Sequence, residues 1–190
     1  MKIPELVAAQ RAYHQSRATL PAAFRLAQLE SLQRSIEAHE PELLQALAAD
    51  MGKPVIEAYM SEIGFVLSEI RHARRHLRRW MKPRRGKVPP FAWPGRGRVC
   101  PEPRGVTLIM GPWNYPVQLI LAPLVAAIAA GNCAILKPSE YAPHTSAVVA
   151  KLIEEEVPCH NCTDHEVTIV LYYPATRAVI ILSGRSGYDS

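Results

Sequence analysis

Between residues 20 and 49 the apolar positions Phe24, Leu26, Leu29, Leu32, Ile36, Leu43, Leu44 and Leu47 return every three or four residues. That is the period of helices with one face turned to a core. Pro41 interrupts the series and marks a boundary between two helices, because proline fits a first helical turn better than an interior one. Gly52-Lys53-Pro54 ends one helix and begins the next. The new helix should run to about Trp80, with Ile63, Val66, Leu67, Ile70, Ala73, Leu77 and Trp80 on its apolar face. Beyond it the pattern changes to a proline- and glycine-rich connector, a short strand near 98–100 and a turn at 101–105. A buried strand over 106–110 follows, then a loop, an apolar helix over 117–130, a strand over 133–136, a turn and a helix over 145–157. Strand, helix, strand, helix in this order predicts an α/β fold with a parallel, doubly wound sheet, on which the N-terminal amphipathic helices pack. Ligands of such sheets bind beyond the carboxyl ends of the strands, which puts residues 111–115 and 137–140 at one sheet edge.

Composition keeps this picture and narrows it. With 190 residues, 48% hydrophobic and 21% charged, the chain suits one soluble globular domain. The segment 117–136 is the one candidate membrane span, but Gln118, Pro123, Gly131 and Asn132 interrupt it, so a buried helix followed by a strand is the better parse. The net charge of +5 comes largely from residues 71–87, where Arg71, Arg74, Arg75, Arg78, Arg79, Lys82, Arg84, Arg85 and Lys87 meet no acidic residue. Such a run raises nucleic acid as a partner. The arginines fall opposite the apolar face, however, and a solvated helix face is the plainer reading, so no nucleic-acid partner is favoured. Cys100, Cys133, Cys159 and Cys162, with no apolar signal segment at the N-terminus, fit a reducing cytoplasm.

Two short segments carry candidate chemistry. In Gly111-Pro112-Trp113-Asn114-Tyr115-Pro116, two prolines fix the backbone, two aromatics add rigid surface and one amide is left to donate. Asn114 could hold a developing oxyanion, or it could cap the helix that starts near residue 117. In Lys137-Pro138-Ser139-Glu140, a cation, a hydroxyl and a carboxylate emerge where Pro138 stops a strand. Together they could hold a ribose diol, with the carboxylate favouring a free 2′-hydroxyl over a 2′-phosphate, or they could be a surface turn. No G-x-G-x-x-G follows the first strand, so the usual dinucleotide fingerprint is absent.

Several segments in order carry a resemblance. Asp50-Met51-Gly52-Lys53-Pro54 with Glu57-Ala58 and Glu62-Ile63, Trp80-Met81-Lys82-Pro83, Glu102-Pro103-Arg104-Gly105-Val106, the Pro-Trp-Asn-Tyr-Pro loop, Ala129-Ala130-Gly131-Asn132 and Lys137-Pro138-Ser139-Glu140 are similar to those of the aldehyde dehydrogenase superfamily. The wording looks like its class 3, fatty-aldehyde branch, over about residues 4–155. The resemblance implies a Rossmann-like cofactor domain, present in part: residues 1–157, with 1–82 helical, 83–105 a connector and short strand, and 106–157 the alternating unit. It also implies NAD- or NADP-dependent oxidation of an aldehyde to an acid, in a protein that could be a homo-oligomer. In the family a cysteine thiolate adds to the aldehyde, an asparagine that matches Asn114 holds the oxyanion, and a glutamate activates the hydrolytic water. Met110, Gly111, Pro112 and Trp113 match cofactor-lining positions, and Lys137, Ser139 and Glu140 belong to the segment that holds the adenosine ribose.

The departures concern activity. The family segments that bear the nucleophilic cysteine and the general base have no counterpart in these 190 residues. The expectation is a chain that is inactive alone, or else a non-catalytic interaction module derived from the cofactor domain. Cys133 in a buried strand and Cys100 before a proline read as structural. The tail, 158–190, no longer reads like the family, whether as a truncated or altered reading frame or as diverged strands over 167–172 and 178–182. Ser183-Gly184-Arg185-Ser186-Gly187 stands where a glycine-rich cofactor loop should follow a strand, without its spelling. Cys159 and Cys162, with His160 and His165, have zinc-like spacing but no second ligand pair, so no metal is expected. Asn161-Cys162-Thr163 fits the glycosylation pattern but has no secretory signal to support it.

Overall fold

The computed structural model describes residues 3–155 and 170–172. Helices α1 (Ile3–Gln15), α2 (Ala22–Ala38), α3 (Glu40–Met51) and the short α4 (Val55–Ala58) come first. A π-helical turn, Tyr59–Ile63, joins α4 to the long α5 (Gly64–Trp80). Strands β1 (Arg84–Gly86) and β2 (Gly97–Val99) form an antiparallel ribbon. The alternating unit follows as β3 (Val106–Met110), α6 (Gln118–Ala130), β4 (Cys133–Lys137) and α7 (Pro143–Glu155). β3 and β4 are parallel, with Val106 opposite Cys133 and Met110 opposite Lys137. β5 (Val170–Tyr172) adds to the other side of β4 and runs antiparallel. The α/β fold with helices packed on a partial parallel sheet is therefore present; β5 lies within the 167–172 segment read as a possible diverged strand, and only its antiparallel direction was not specified.

The helical period read from sequence matches the core. Leu29, Leu32, Ile36, Leu43, Leu47, Ile63, Val66, Leu67, Ile70, Ala73 and Leu77 are buried, together with Ile120, Leu121, Leu124 and Leu136. Gly52 ends α3 in the left-handed region at φ 64°, and Pro41 sits in the first turn of α3. Trp80 departs from expectation: it is 39% exposed and stacks on His76, with ring centroids 5.8 Å apart. Met81, one residue further on, packs against the core in its place. Arg71, Arg75, Arg78 and Arg79 are exposed, while Arg74 turns back to Glu30 at 3.6 Å and Gln33 at 2.9 Å. That is the solvated helix face.

The strand expected to be buried at 106–110 is not. Ile109 is buried under α6, but Leu108 and Met110 are 61% and 67% exposed. α1 lies over Val106 and Ile135 on the opposite face, and its 13 residues leave the far end of β3 uncovered. Among the described residues no helix is long and apolar enough to cross a membrane. The segment 156–169, which holds the cysteine–histidine cluster and the glycosylation pattern, and the segment 173–190, with the strand expected at 178–182 and the glycine-rich loop, lie outside the described residues.

Candidate active site at the carboxyl edge of the sheet

α6 fixes the geometry of the site because it connects the two strands whose ends carry the candidate residues. Its C-terminus is closed by Gly131 at φ 82°, where the amides of Gly131 and Asn132 donate to the carbonyls of Ile128 (3.0 Å) and Ala127 (2.9 Å). This is the paired-bond helix stop that glycine permits. Arg25, buried on α2, donates from Nη1 to the Ala129 carbonyl at 3.0 Å, a cation at the negative end of the helix. Asn132 Oδ1 accepts from the Gly105 amide at 2.9 Å, which ties the start of β4 to the start of β3.

At the other end of α6 a carboxylate serves as the cap, and it comes from a distant part of the chain. Glu62, fully buried in the π-helical turn, accepts through Oε2 from the amides of Val117 and Gln118, each at 3.0 Å. Its Oε1 takes an ion pair from the Lys53 ammonium. Asn114 therefore does not cap α6, and the helix has no local side-chain cap. Its backbone carbonyl accepts from Lys53 Nζ at 3.2 Å, and its side chain is exposed. Lys53 also stands over the Tyr115 ring, 4.0 Å from the centroid, within range of a cation–π interaction.

The second segment adjoins the first directly. The Gly111 amide donates to the Lys137 carbonyl at 2.9 Å, so the two loops leave neighbouring strand ends. Trp113, Pro112 and Met110 are exposed there and Gly111 is half-buried. A Cβ on Gly111 would come within 2.7 Å of Ile120 Cδ1 and 3.3 Å of its Cβ, so a larger residue there would require the buried Ile120 to shift. Lys137 Nζ donates to Glu140 Oε2 at 2.7 Å. That hydrogen bond, with one from the backbone, holds the Glu140 carboxyl below its ordinary range, so it is ionised at neutral pH. Ser139 departs from the expected trio: it is buried, and its hydroxyl accepts the Tyr141 amide at 3.2 Å to close the turn.

α7 repeats the device of a distant carboxylate. Asp50 accepts from the Thr145 amide through Oδ2 at 2.7 Å and from the His144 amide through Oδ1 at 3.2 Å. Burial alone would raise its pKa, but these bonds outweigh it and hold the carboxyl below the ordinary value. Sequence reasoning singled out neither Glu62 nor Asp50 as a cap, since the usual signal is a residue adjacent in the chain. Cys133 is buried, which pushes its thiol pKa up to about 11, so at neutral pH it is not a thiolate nucleophile. Among the described residues no group of three His, Cys, Asp or Glu could hold a metal ion.

Residues 2–162 match the sequence profile of the Aldehyde dehydrogenase family. The chain belongs to that family. It is 41% identical over 145 residues to 4,4'-diaponeurosporen-aldehyde dehydrogenase of Staphylococcus aureus, covering 76% of this chain and 32% of that protein. It is 42% identical over 135 residues to Aldehyde dehydrogenase family 3 member A2 of Macaca fascicularis, covering 71% and 28%. A substrate-bound structure of Staphylococcus aureus AldH superposes with a TM-score of 0.78 at 40% identity, over 82% of this chain and 34% of that one. The chain thus spans about a third of the length of the relatives it matches. Family 3 members are among these relatives, in agreement with the class 3 wording of the sequence.

Proposed function

We propose that these residues form the oxyanion-holding and ribose-holding part of an NAD(P)-dependent aldehyde-oxidising site, within the N-terminal part of a cofactor domain spanning 1–157. The observation that carries this reading is the 2.9 Å hydrogen bond from Gly111 to Lys137, which joins the two candidate loops at neighbouring strand ends. Asn114 supplies the chemistry of the first loop: an exposed amide on a loop braced by two prolines can donate to an oxygen that gains charge. The second loop suits a ribose diol. While Oε2 holds Lys137, the Glu140 carboxylate has lone pairs left to accept from a hydroxyl, and the ammonium keeps a further proton to donate. Met110, Gly111, Pro112 and Trp113 line the approach between them, and Ser139 shapes the turn that aims Glu140. The cofactor, when bound, accepts the hydride. The carboxylate favours an unphosphorylated 2′-hydroxyl, so NAD should bind more tightly than NADP.

The nucleophilic cysteine and the general base belong to family segments without counterpart in this sequence, so the 190 residues alone should bind nucleotide weakly and turn over nothing. A reducing, cytoplasmic setting belongs to the same proposal, consistent with the free thiols of Cys100 and Cys133. Titrating NAD into the isotope-labelled chain should shift the amide signals of Met110, Gly111, Trp113, Lys137, Ser139 and Glu140. Glu140→Ala should weaken that binding about tenfold, the loss of one or two hydrogen bonds to a charged acceptor. Shifts confined to other residues would overturn the site. Aldehyde-dependent NADH formation by the purified chain would overturn its inactivity.

A second reading, a non-catalytic module that recruits another chain, is favoured by one observation. Among the described residues β3 pairs with β4 alone, and it exposes Leu108 and Met110. The partner could be a second copy, and self-association is the measurement that separates this reading from the first.

A further inference from the structure

We propose that Lys53 and Glu62 form a buried positioning pair that sets the direction of the Asn114 side chain. The inference rests on the oxyanion role proposed for Asn114 and names what orients it. From Asn114 to Gln118 the backbone is bonded to this pair at three points. The Asn114 carbonyl is bonded to Lys53 Nζ at 3.2 Å, and the Tyr115 ring lies beneath the same ammonium at 4.0 Å. Two residues further on, the amides of Val117 and Gln118 are held at 3.0 Å by Glu62 Oε2. Pro116, between these anchors, is buried and keeps φ fixed. The chain from Asn114 into the start of α6 is thereby held by one carboxylate and one ammonium, which are joined to each other through Glu62 Oε1.

The arrangement is unusual for a purely structural ion pair. Glu62 is fully buried and the Lys53 side chain only 10% exposed, so removing both charges from water costs several kcal/mol per ion before their attraction returns any of it. A locally supplied cap would stabilise α6 more simply, and Asn114 stands close enough in sequence to serve as one. Glu62 takes the cap, and the Asn114 amide makes no hydrogen bond to the protein among the described residues. The π-helical turn Tyr59–Ile63 belongs to the same device. An extra residue in a helical turn costs hydrogen-bond geometry and recurs at functional positions, and here it carries Glu62 to the start of α6. Lys53 follows the left-handed Gly52 and precedes Pro54, so its backbone is also fixed on both sides.

The test reads the Asn114 side-chain amide in the 190-residue chain by nitrogen–proton NMR with asparagine labelling, assigned by its loss in Asn114→Ala. In the wild type it should give one sharp pair of signals with restricted motion. Lys53→Met should split or broaden that pair and shift the Tyr115 ring signals, and Lys53→Arg should restore it in part. Since Lys53→Met leaves Glu62 buried without its cation and could unfold the chain, the double variant K53M/E62Q is measured as well. It removes both charges, yet the new amide oxygen can still accept from Val117 and Gln118. With the helical circular dichroism preserved, loss of a single ordered Asn114 signal in the double variant supports the proposal. An Asn114 pair unchanged in position and order in that variant overturns it. The NAD titration of the wild type fails or succeeds independently of this result, so a wrong site and a wrong positioning pair give different outcomes.

Discussion

At the scale of single residues, the determining feature is that the two site helices are capped by carboxylates from far along the chain. Glu62 caps α6 and Asp50 caps α7, whereas Asn114, for which the sequence offered capping as one of two roles, lies in the loop before α6. Asp50 gives a pH prediction with a definite sign. Its folded pKa lies below its unfolded value, so its contribution is fully present above the unfolded carboxylate pKa of about 3.9 and is lost as pH falls through the lower, folded pKa. Asp50→Ala should cost about 1 kcal/mol at neutral pH, the usual worth of a helix cap. Urea midpoints measured from pH 7 downward should show the wild type and variant converging below about pH 4. A constant gap down to pH 2 would mean that the carboxylate is not the source of the difference. This part of the site was not legible in the sequence. A capping signal is recognised by its place next to a helix, and Asp50 lies 94 and 95 residues before the amides it holds.

Elements were far more legible than caps, for a reason visible in α6. Its period, its apolar content and its Gly131-Asn132 stop are all local, and the observed helix, Gln118–Ala130, follows them within one residue of the expected start. β3 was equally plain as an element, yet its burial was not, because that depends on how far α1 reaches over the sheet. The π-helical turn left no sign either, since one extra residue in a helix is specified by what Glu62 bonds to, not by its neighbours in sequence. The α6 stop supports a prediction at this scale. Gly131 sits at φ 82°, and a Cβ there would fall 2.5 Å from Arg25 Nη2, on a guanidinium already committed to Thr19 and Ala129. Gly131→Ala should therefore cost about 1–2 kcal/mol for the left-handed backbone, plus the displacement of Arg25. Arg25→Ala alone should also destabilise. The double variant should cost less than the sum, because the clash disappears with the guanidinium. Strict additivity in urea unfolding would show that the two residues do not meet.

For the whole molecule, the family relation and the uncovered sheet together determine behaviour in solution. The chain spans about a third of its relatives' length, and among the described residues one edge of β3 is unpaired and Leu108 and Met110 are exposed. An edge strand with exposed apolar residues is a template for pairing with another chain. Nearby, Trp113 and Tyr141 extend the apolar surface around the proposed site. Self-association through this edge should therefore rise with concentration in the purified chain, visible by size exclusion with light scattering. Leu108→Glu is the informative variant. Leu108 borders a cavity that Arg11 and Arg104 also line, so a carboxylate there would find cations within the fold while charging the edge. It should leave the helical signal intact and shift the chain toward monomer. A comparable shift from a control such as Gln45→Glu, at an exposed position of α3 and with the same change of charge, would assign the effect to net charge. A wild type that stays monomeric across the whole concentration range would remove the interaction-module reading and leave the nucleotide site as the function to pursue. A chain that associates through β3 and also shifts residues 137–140 with NAD would carry both properties on adjacent parts of one sheet.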